Sequence, residues 1–367
     1  MQSHKIPAFI AVAICCITCC WGCTKTVAVN PGAKSSKGTS SDFETKKAAL
    51  KELPPTRAIS LKQESSIKNG AGARFDYPSS MVADNDGNIL IADNNAHAID
   101  LYSAKTNEIS VLPTPTGEGA LRFPLVVRKA QQKIYVEDDE GIKIFKENGQ
   151  YERLLRTYLS MWDFVIGKDG SIYANTALKA ATESDGLIVK LNPNGERVSS
   201  FGQRFKQSQY RGMDDRVFME CSWPLLFVAF KHQPLVAVYD LTTEKLVREF
   251  SIQHPVFSRL EALSKDESFT NPSASAVSLP RYVAGIAAVD DRVFVLLHLP
   301  QVEIVEFDFL GNEKARFRSS EINNVLNYFG LGIQSKRGVR KFYVGGSGVE
   351  GEKDSSFLAQ FAVATSD

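Results

Sequence analysis

Three histidines fall at matching places in this chain. His97, His232 and His298 each sit between the second and third short strand-like runs of a repeated unit, the first, fourth and fifth. Two further stretches stand at the equivalent place: Glu137, Asp138, Asp139 and Glu140 in one, Asn175 in another. Imidazole and carboxylate are metal ligands and general acid–base groups. If the chain repeats, symmetry gathers His97, Asp138, Asn175, His232 and His298 at one rim as a ligand-binding set. Two readings stay open for the histidines. His97, His232 and His298 could hold a divalent metal for a lyase or hydrolase, a set that also needs partners on the far ring nitrogens. Alternatively they are isolated loop residues at an outer rim, too far apart to share an ion.

Other chemistry-bearing patterns are incomplete. Asp84–Asn88 (DNDGN) resembles the start of a calcium loop, but Ile89 stands where the loop glycine belongs and the flanks are strand-like, so it reads as a hairpin turn. Gly345–Val349 (GGSGV) misses the last glycine of a nucleophile elbow. No phosphate-binding glycine loop or paired CxxC is present. Cys221 is the one cysteine of the body and reads as a small buried hydrophobe rather than a nucleophile. No catalytic residue is therefore assigned, and no cofactor beyond the optional metal.

The elements that must position these residues repeat at a propeller period of about 40–46 residues. The first unit reads SSMVAD, NILIAD, HAIDLYS, NEISVL, with Asn85-Asp86-Gly87 as its first turn. Five more follow, opening at FPLVVRK, WDFVIG, RVFMEC, VAGIAAV and FGLGIQS. Each is a run of short alternating strands separated by turn residues. The last unit lacks a fourth strand, while RAISLKQ (57–63) is a strand without a unit. Closure of a circular array removes exposed edges. The expected fold is all-β: a six-bladed β-propeller of four-stranded blades, the last closed by the N-terminal strand. Aromatics open most units (Tyr77, Phe123, Trp162, Tyr282, Tyr328) and are expected to pack between blades.

Pro78, Met81, Asp84, Gly87, Ile89, Ile91 and Asp93 stand where NHL-repeat blades carry their proline, aliphatic residue, Asp-x-x-Gly turn and Val-Ala-Asp strand. Over residues 57–365 the chain resembles the NHL/TolB-like six-bladed propeller lipoproteins common in Bacteroidota, closely in the first unit and loosely in the fourth and sixth. That resemblance implies an architecture and an envelope location, not an activity. The histidine pattern also resembles six-bladed lyases in which several blades contribute metal-binding histidines. The gluconolactonase-type acidic signature is not evident near the first unit.

The N-terminus reads as an address. A basic start (MQSHK) precedes an apolar run of about 17 residues, the length of a signal core and short for a spanning helix. It ends at Gly22-Cys23, which resembles a bacterial lipoprotein signal with Cys23 as the lipidated residue. Cys20 is a second choice for cleavage, and an uncleaved anchor is the competing reading. The expected division is signal peptide 1–22, flexible tether 23–56 and propeller 57–367. Lys plus Arg number 43 and Asp plus Glu 42, and the first 22 residues hold only Lys5 among them. A neutral body excludes a strongly basic nucleic-acid binder.

Two insertions, 202–215 and 251–280, fall on the same side as the histidines. Long loops in compact domains are commonly functional. The resulting expectation is a monomeric, non-catalytic binding module. It would be lipid-anchored in the outer membrane of a Gram-negative envelope and periplasm-facing. It would hold a peptide, glycan or envelope protein on its inserted-loop face.

Overall fold

The structure is a computed structural model that describes residues 57–68, 75–157, 159–176, 186–204, 215–258, 279–322, 325–349 and 356–364. All lie in one compact unit, Pro55–Asp367. The signal-like run, the tether with Cys23, and most of both insertions lie outside the described residues.

The stretch that defines the repeat folds as read. Asp84 Oδ1 accepts the N–H groups of Asp86 (2.9 Å) and Asn88 (2.8 Å), and Gly87 N–H donates back to the Asp84 carbonyl (3.1 Å). Gly87 sits at φ 84, a left-handed conformation that strains any residue with a Cβ. Asn192 and Asp308 organise the same turn around Gly195 and Gly311. Side-chain acceptors thus close the hairpins, and alternating apolar residues pair the strands between them.

Among the described residues there are 24 strands. β2 (Pro78–Ala83), β3 (Ile89–Asp93), β4 (Ala98–Ser103) and β5 (Glu108–Val111) form one antiparallel sheet. A second holds β6 (Val126–Ala130), β7 (Lys133–Asp138), β8 (Gly141–Lys146) and β9 (Tyr151–Leu155). A third holds β10 (Met161–Ile166), β11 (Ile172–Thr176), β12 (Ile188–Leu191) and β13 (Arg197–Phe201). The fourth comprises β14 (Val217–Ser222), β15 (Leu225–Phe230), β16 (Leu235–Asp240) and β17 (Lys245–Ser251).

The remaining strands form one eight-stranded sheet. β18 (Val283–Val289), β19 (Arg292–Leu297), β20 (Val302–Asp308) and β21 (Glu313–Ser319) run to β1 (Arg57–Lys68). Beyond β1 come β24 (Ser356–Val363), β23 (Val339–Val349) and β22 (Val325–Lys336). The first half of β1 pairs parallel with β21 (Arg57 opposite Ala315), and the second half pairs antiparallel with β24 (Leu61 opposite Val363).

The arrangement is propeller-like. First strands touch in turn around a ring: β2 on β6, β6 on β10, β10 on β14, β14 on β18, β18 on β22, and β22 back on β2. Second strands such as β3 are buried throughout, whereas the fourth strands β5 and β17 are largely exposed. Apolar cores fill the space between neighbouring sheets. Met81, Ile89, Ile91 and Tyr102, for example, pack on Phe329, Tyr343 and Leu358.

The aromatics that open the units do not all pack between sheets. Tyr282 is buried and Trp162 and Tyr328 are half-buried, but Tyr77 is 61% exposed and Phe123 50% exposed. Both exposed rings lie in segments that lead into a first strand, and neither joins the apolar cores on either side of the first sheet.

Candidate functional site

The ends of the first and second strands carry two different kinds of residue around the ring. In the first two sheets an aspartate closes the second strand. Asp93 accepts the N–H groups of Asp76 (2.7 Å), Tyr77 (2.8 Å) and Ala96 (3.2 Å). Asp138 does the same for Arg122 (3.0 Å), Phe123 (3.2 Å) and Asp139 (2.5 Å), and also meets the fully buried Lys143 at 3.1 Å. Burial works to raise the Asp138 pKa, but these donors and Lys143 bring it below the ordinary carboxylate value. Asp138, expected to bind a ligand, is thus engaged in holding the incoming segment of its own sheet.

In the fourth and eight-stranded sheets apolar Phe230 and Leu297 end the second strands, and residues with nitrogen-bearing side chains stand just outside the strands: Arg216 and Arg281 before the first, Lys231 and His298 after the second. Backbone bonds stitch them into a row: Lys231 N–H donates to the Arg216 carbonyl (2.9 Å), Tyr282 N–H to the Lys231 carbonyl (2.9 Å), and His298 N–H to the Tyr282 carbonyl (2.9 Å). Arg281 precedes Tyr282 and donates to Asn327 Oδ1 at 2.5 Å. The Arg216 guanidinium lies over the Trp162 ring, 4.5 Å from its centroid, and Lys231 Nζ lies 6.0 Å from that of Phe218. Among the described residues no carboxylate forms an ion pair with Arg216, Lys231 or Arg281. Asp163, whose charge reaches Arg216, is itself held by Arg128 and by Met219 N–H (2.8 Å).

This crowding has an electrostatic consequence. Burial, followed by the charges of Arg216 and Arg281, lowers Lys231 to about 7. Burial also lowers His232 and His298 to about 4, with the neighbouring cations adding to it. Both imidazoles are neutral at pH 7. His232 Nδ1 lies 2.8 Å from the Pro280 carbonyl, so that nitrogen carries the ring hydrogen. Two buried polar atoms beside the row have no partner among the described residues: Trp162 Nε1 and His298 Nε2. Such atoms are costly to leave unpaired.

The predicted residues divide accordingly. His232 and His298 come together. His97 is exposed, in a turn at φ 53, with its ring edge-on to Phe123 at 5.4 Å. Asn175 is buried and donates to the Leu187 carbonyl at 3.1 Å. Among the described residues no group of three or more His, Cys, Asp or Glu is placed to hold a metal ion, so His97, His232 and His298 do not form the anticipated triad. The Cys221 thiol is pushed up to about 12 by burial and then by Glu220, which leaves it unreactive.

No protein-family model matches this chain, and no curated protein matches it. Solved structures do. A putative exported protein from Bacteroides fragilis aligns with TM-score 0.53 at 11% identity, covering 86% of this chain and 98% of its own. Regucalcin, a calcium-binding protein from Agrobacterium tumefaciens, aligns with TM-score 0.50 at 10% identity, covering 84% and 97%. A luciferin-regenerating enzyme gives TM-score 0.50 at 10% identity, covering 81% and 95%. The fold is a β-propeller. Identities this low speak for the fold alone.

Sequence reasoning missed Arg216, Lys231 and Arg281. Aligning the repeats by their histidines passed over Lys231, which stands beside His232 just beyond the fourth unit's second strand. The signal was a cation just outside successive strands, Arg216 before β14, Lys231 after β15 and Arg281 shortly before β18.

Proposed function

We propose that this chain is a non-catalytic binding module of the cell envelope, a six-bladed NHL/TolB-like propeller whose first-strand mouth holds a peptide, glycan or protein partner. The observation that carries the reading is the pair of buried polar atoms, Trp162 Nε1 and His298 Nε2, without partners among the described residues and set beside cations that no described carboxylate pairs with directly, at one end of the first strands. The blade count is supported by the closed ring of first strands, with the eight-stranded sheet read as two blades joined through β1. Residues 1–22 serve as a lipoprotein signal, Cys23 as the lipid attachment point and 23–56 as the tether. The domain is monomeric and faces the periplasm from the outer membrane.

The test is capture by the full-length chain from envelope extracts, compared with Trp162→Phe, which removes Nε1 but keeps a ring beneath Arg216. A bound species that falls at least tenfold in the variant supports the reading, provided the melting temperature is kept. An identical capture profile for both chains sinks it.

A further inference from the structure

We infer that this mouth binds the oxyanion group of an acidic ligand, with Arg216, Lys231 and Arg281 supplying charge and Trp162 and His298 supplying directed donors. The inference rests on the reading that the mouth holds a ligand and names the chemistry of that ligand.

Three observations carry it. First, the cations converge through the fold and not through flexible side chains. The residue before β14, the residue after β15, the segment before β18 and the residue after β19 are joined by successive backbone hydrogen bonds. Arg216 and Lys231 are further fixed over aromatic rings, and Arg281 is tied to Asn327. Preorganised donors lose little freedom on binding.

Second, among the described residues no carboxylate pairs directly with these cations, and Asp163, which acts on Arg216 from a distance, is held by Arg128. The body is otherwise balanced and rich in ion pairs: Arg128 meets Asp163, Arg316 and Arg318 share Glu303, and Lys143 meets Asp138. Like charges brought together in a half-buried place repel, and an oxyanion relieves that repulsion while accepting charge-assisted hydrogen bonds. A cationic ligand adds to the repulsion, and a neutral one leaves it unrelieved.

Third, the unpartnered atoms match an acceptor. Indole Nε1 is a donor only, and the His298 ring is neutral and can present Nε2–H. A carboxylate or phosphate has several lone pairs to receive them. The groups facing Lys231 are Arg216, Arg281, His232 and His298, none of them acidic. Bound anion therefore favours the charged form of Lys231, and binding near pH 7 takes up a fraction of a proton.

The experiment is titration calorimetry of the full-length chain in detergent micelles at pH 7 and low salt. The probes are inorganic phosphate, D-glucuronate and D-glucose, the last a neutral counterpart of the second. At least one oxyanion is expected to bind, with glucose at least tenfold weaker. Affinity should fall as sodium chloride is raised. Arg281→Gln and Lys231→Met should each weaken binding about tenfold. Arg281 is exposed, so its variant keeps the fold even if the Lys231 variant does not. Phosphate preference over glucuronate, or the reverse, identifies the source of the oxyanion. The inference is overturned if neither anion binds, if glucose binds as well, or if Arg281→Gln binds unchanged. A species captured through Trp162 from envelope extracts, by a chain indifferent to both anions, removes the inference and leaves the binding reading standing. Failure of capture and of both anions removes the two together.

Discussion

At the scale of single residues, two kinds of buried group make opposite demands on the fold. Asp138 and Lys143 are both fully buried as side chains and meet each other. Backbone N–H groups also serve Asp138, and the Ala120 carbonyl and Glu140 also serve Lys143. Removing one partner of such a pair typically costs about 3–5 kcal/mol, because the other is left uncompensated. Asp138→Ala should therefore lower unfolding free energy by about that amount in urea titration; a change below about 1 kcal/mol would show that the clamp is not structural. The histidines behave differently. His232 and His298 sit near 4 in the fold against an ordinary 6.5. Between those values the unfolded chain binds protons that the folded one does not, so their contribution to stability is lost as pH falls from 6.5 to 4. Glu137 and Glu220, raised by burial to about 8 and about 7, act the other way. The folded chain keeps protons that the unfolded chain releases, and that contribution fades as pH rises from 4.5 towards 7–8. The comparison of His298→Gln with the parent isolates one of these contributions. Its melting temperature should decline less steeply between pH 6.5 and 4, and parallel curves would contradict the shift.

At the scale of elements, the hairpins were legible because their cause is local. Asp84 and Gly87 fix a turn whatever surrounds them, and the alternation of NILIAD fixes which face is buried. The contacts between sheets were less legible, because they depend on which small residue meets which large one across the ring. Gly330 and Gly332 on β22 face Met81 and Ala83 on β2, and a Cβ at Gly330 would stand 2.3 Å from Met81 Cγ. No periodicity marks that meeting. The same holds for the mouth: the row from Arg216 to His298 is assembled from residues up to 82 positions apart, joined only once the sheets are in place. Gly330→Ala should separate β22 from β2 and cost about 1–3 kcal/mol, the usual range for overpacking a filled interface. Thermal unfolding measures it, and an unchanged midpoint would mean that Met81 moves aside freely.

At the scale of the whole molecule, closure depends on β1. It pairs with β24 from the opposite end of the chain, and it also joins β24 to β21. Without it, both strands present unpaired edges, which are templates for association with other chains. The sequence showed a strand without a unit and a unit without a strand, and so made the antiparallel half of this pairing legible. The parallel half, Arg57–Ser60 on β21, was not, since parallel register leaves no turn between the partners to read. The two halves predict different outcomes for truncation. A chain starting at Arg57 should melt as one cooperative transition and remain monodisperse by size-exclusion chromatography. Removing 57–68 as well exposes two edges and takes Leu61 out of the core it forms with Phe317, Phe342 and Phe361. That chain should melt earlier and self-associate. If it instead remains monomeric with an unchanged midpoint, the ring is held by the contacts between first strands alone, and β1 decorates the edge without closing it.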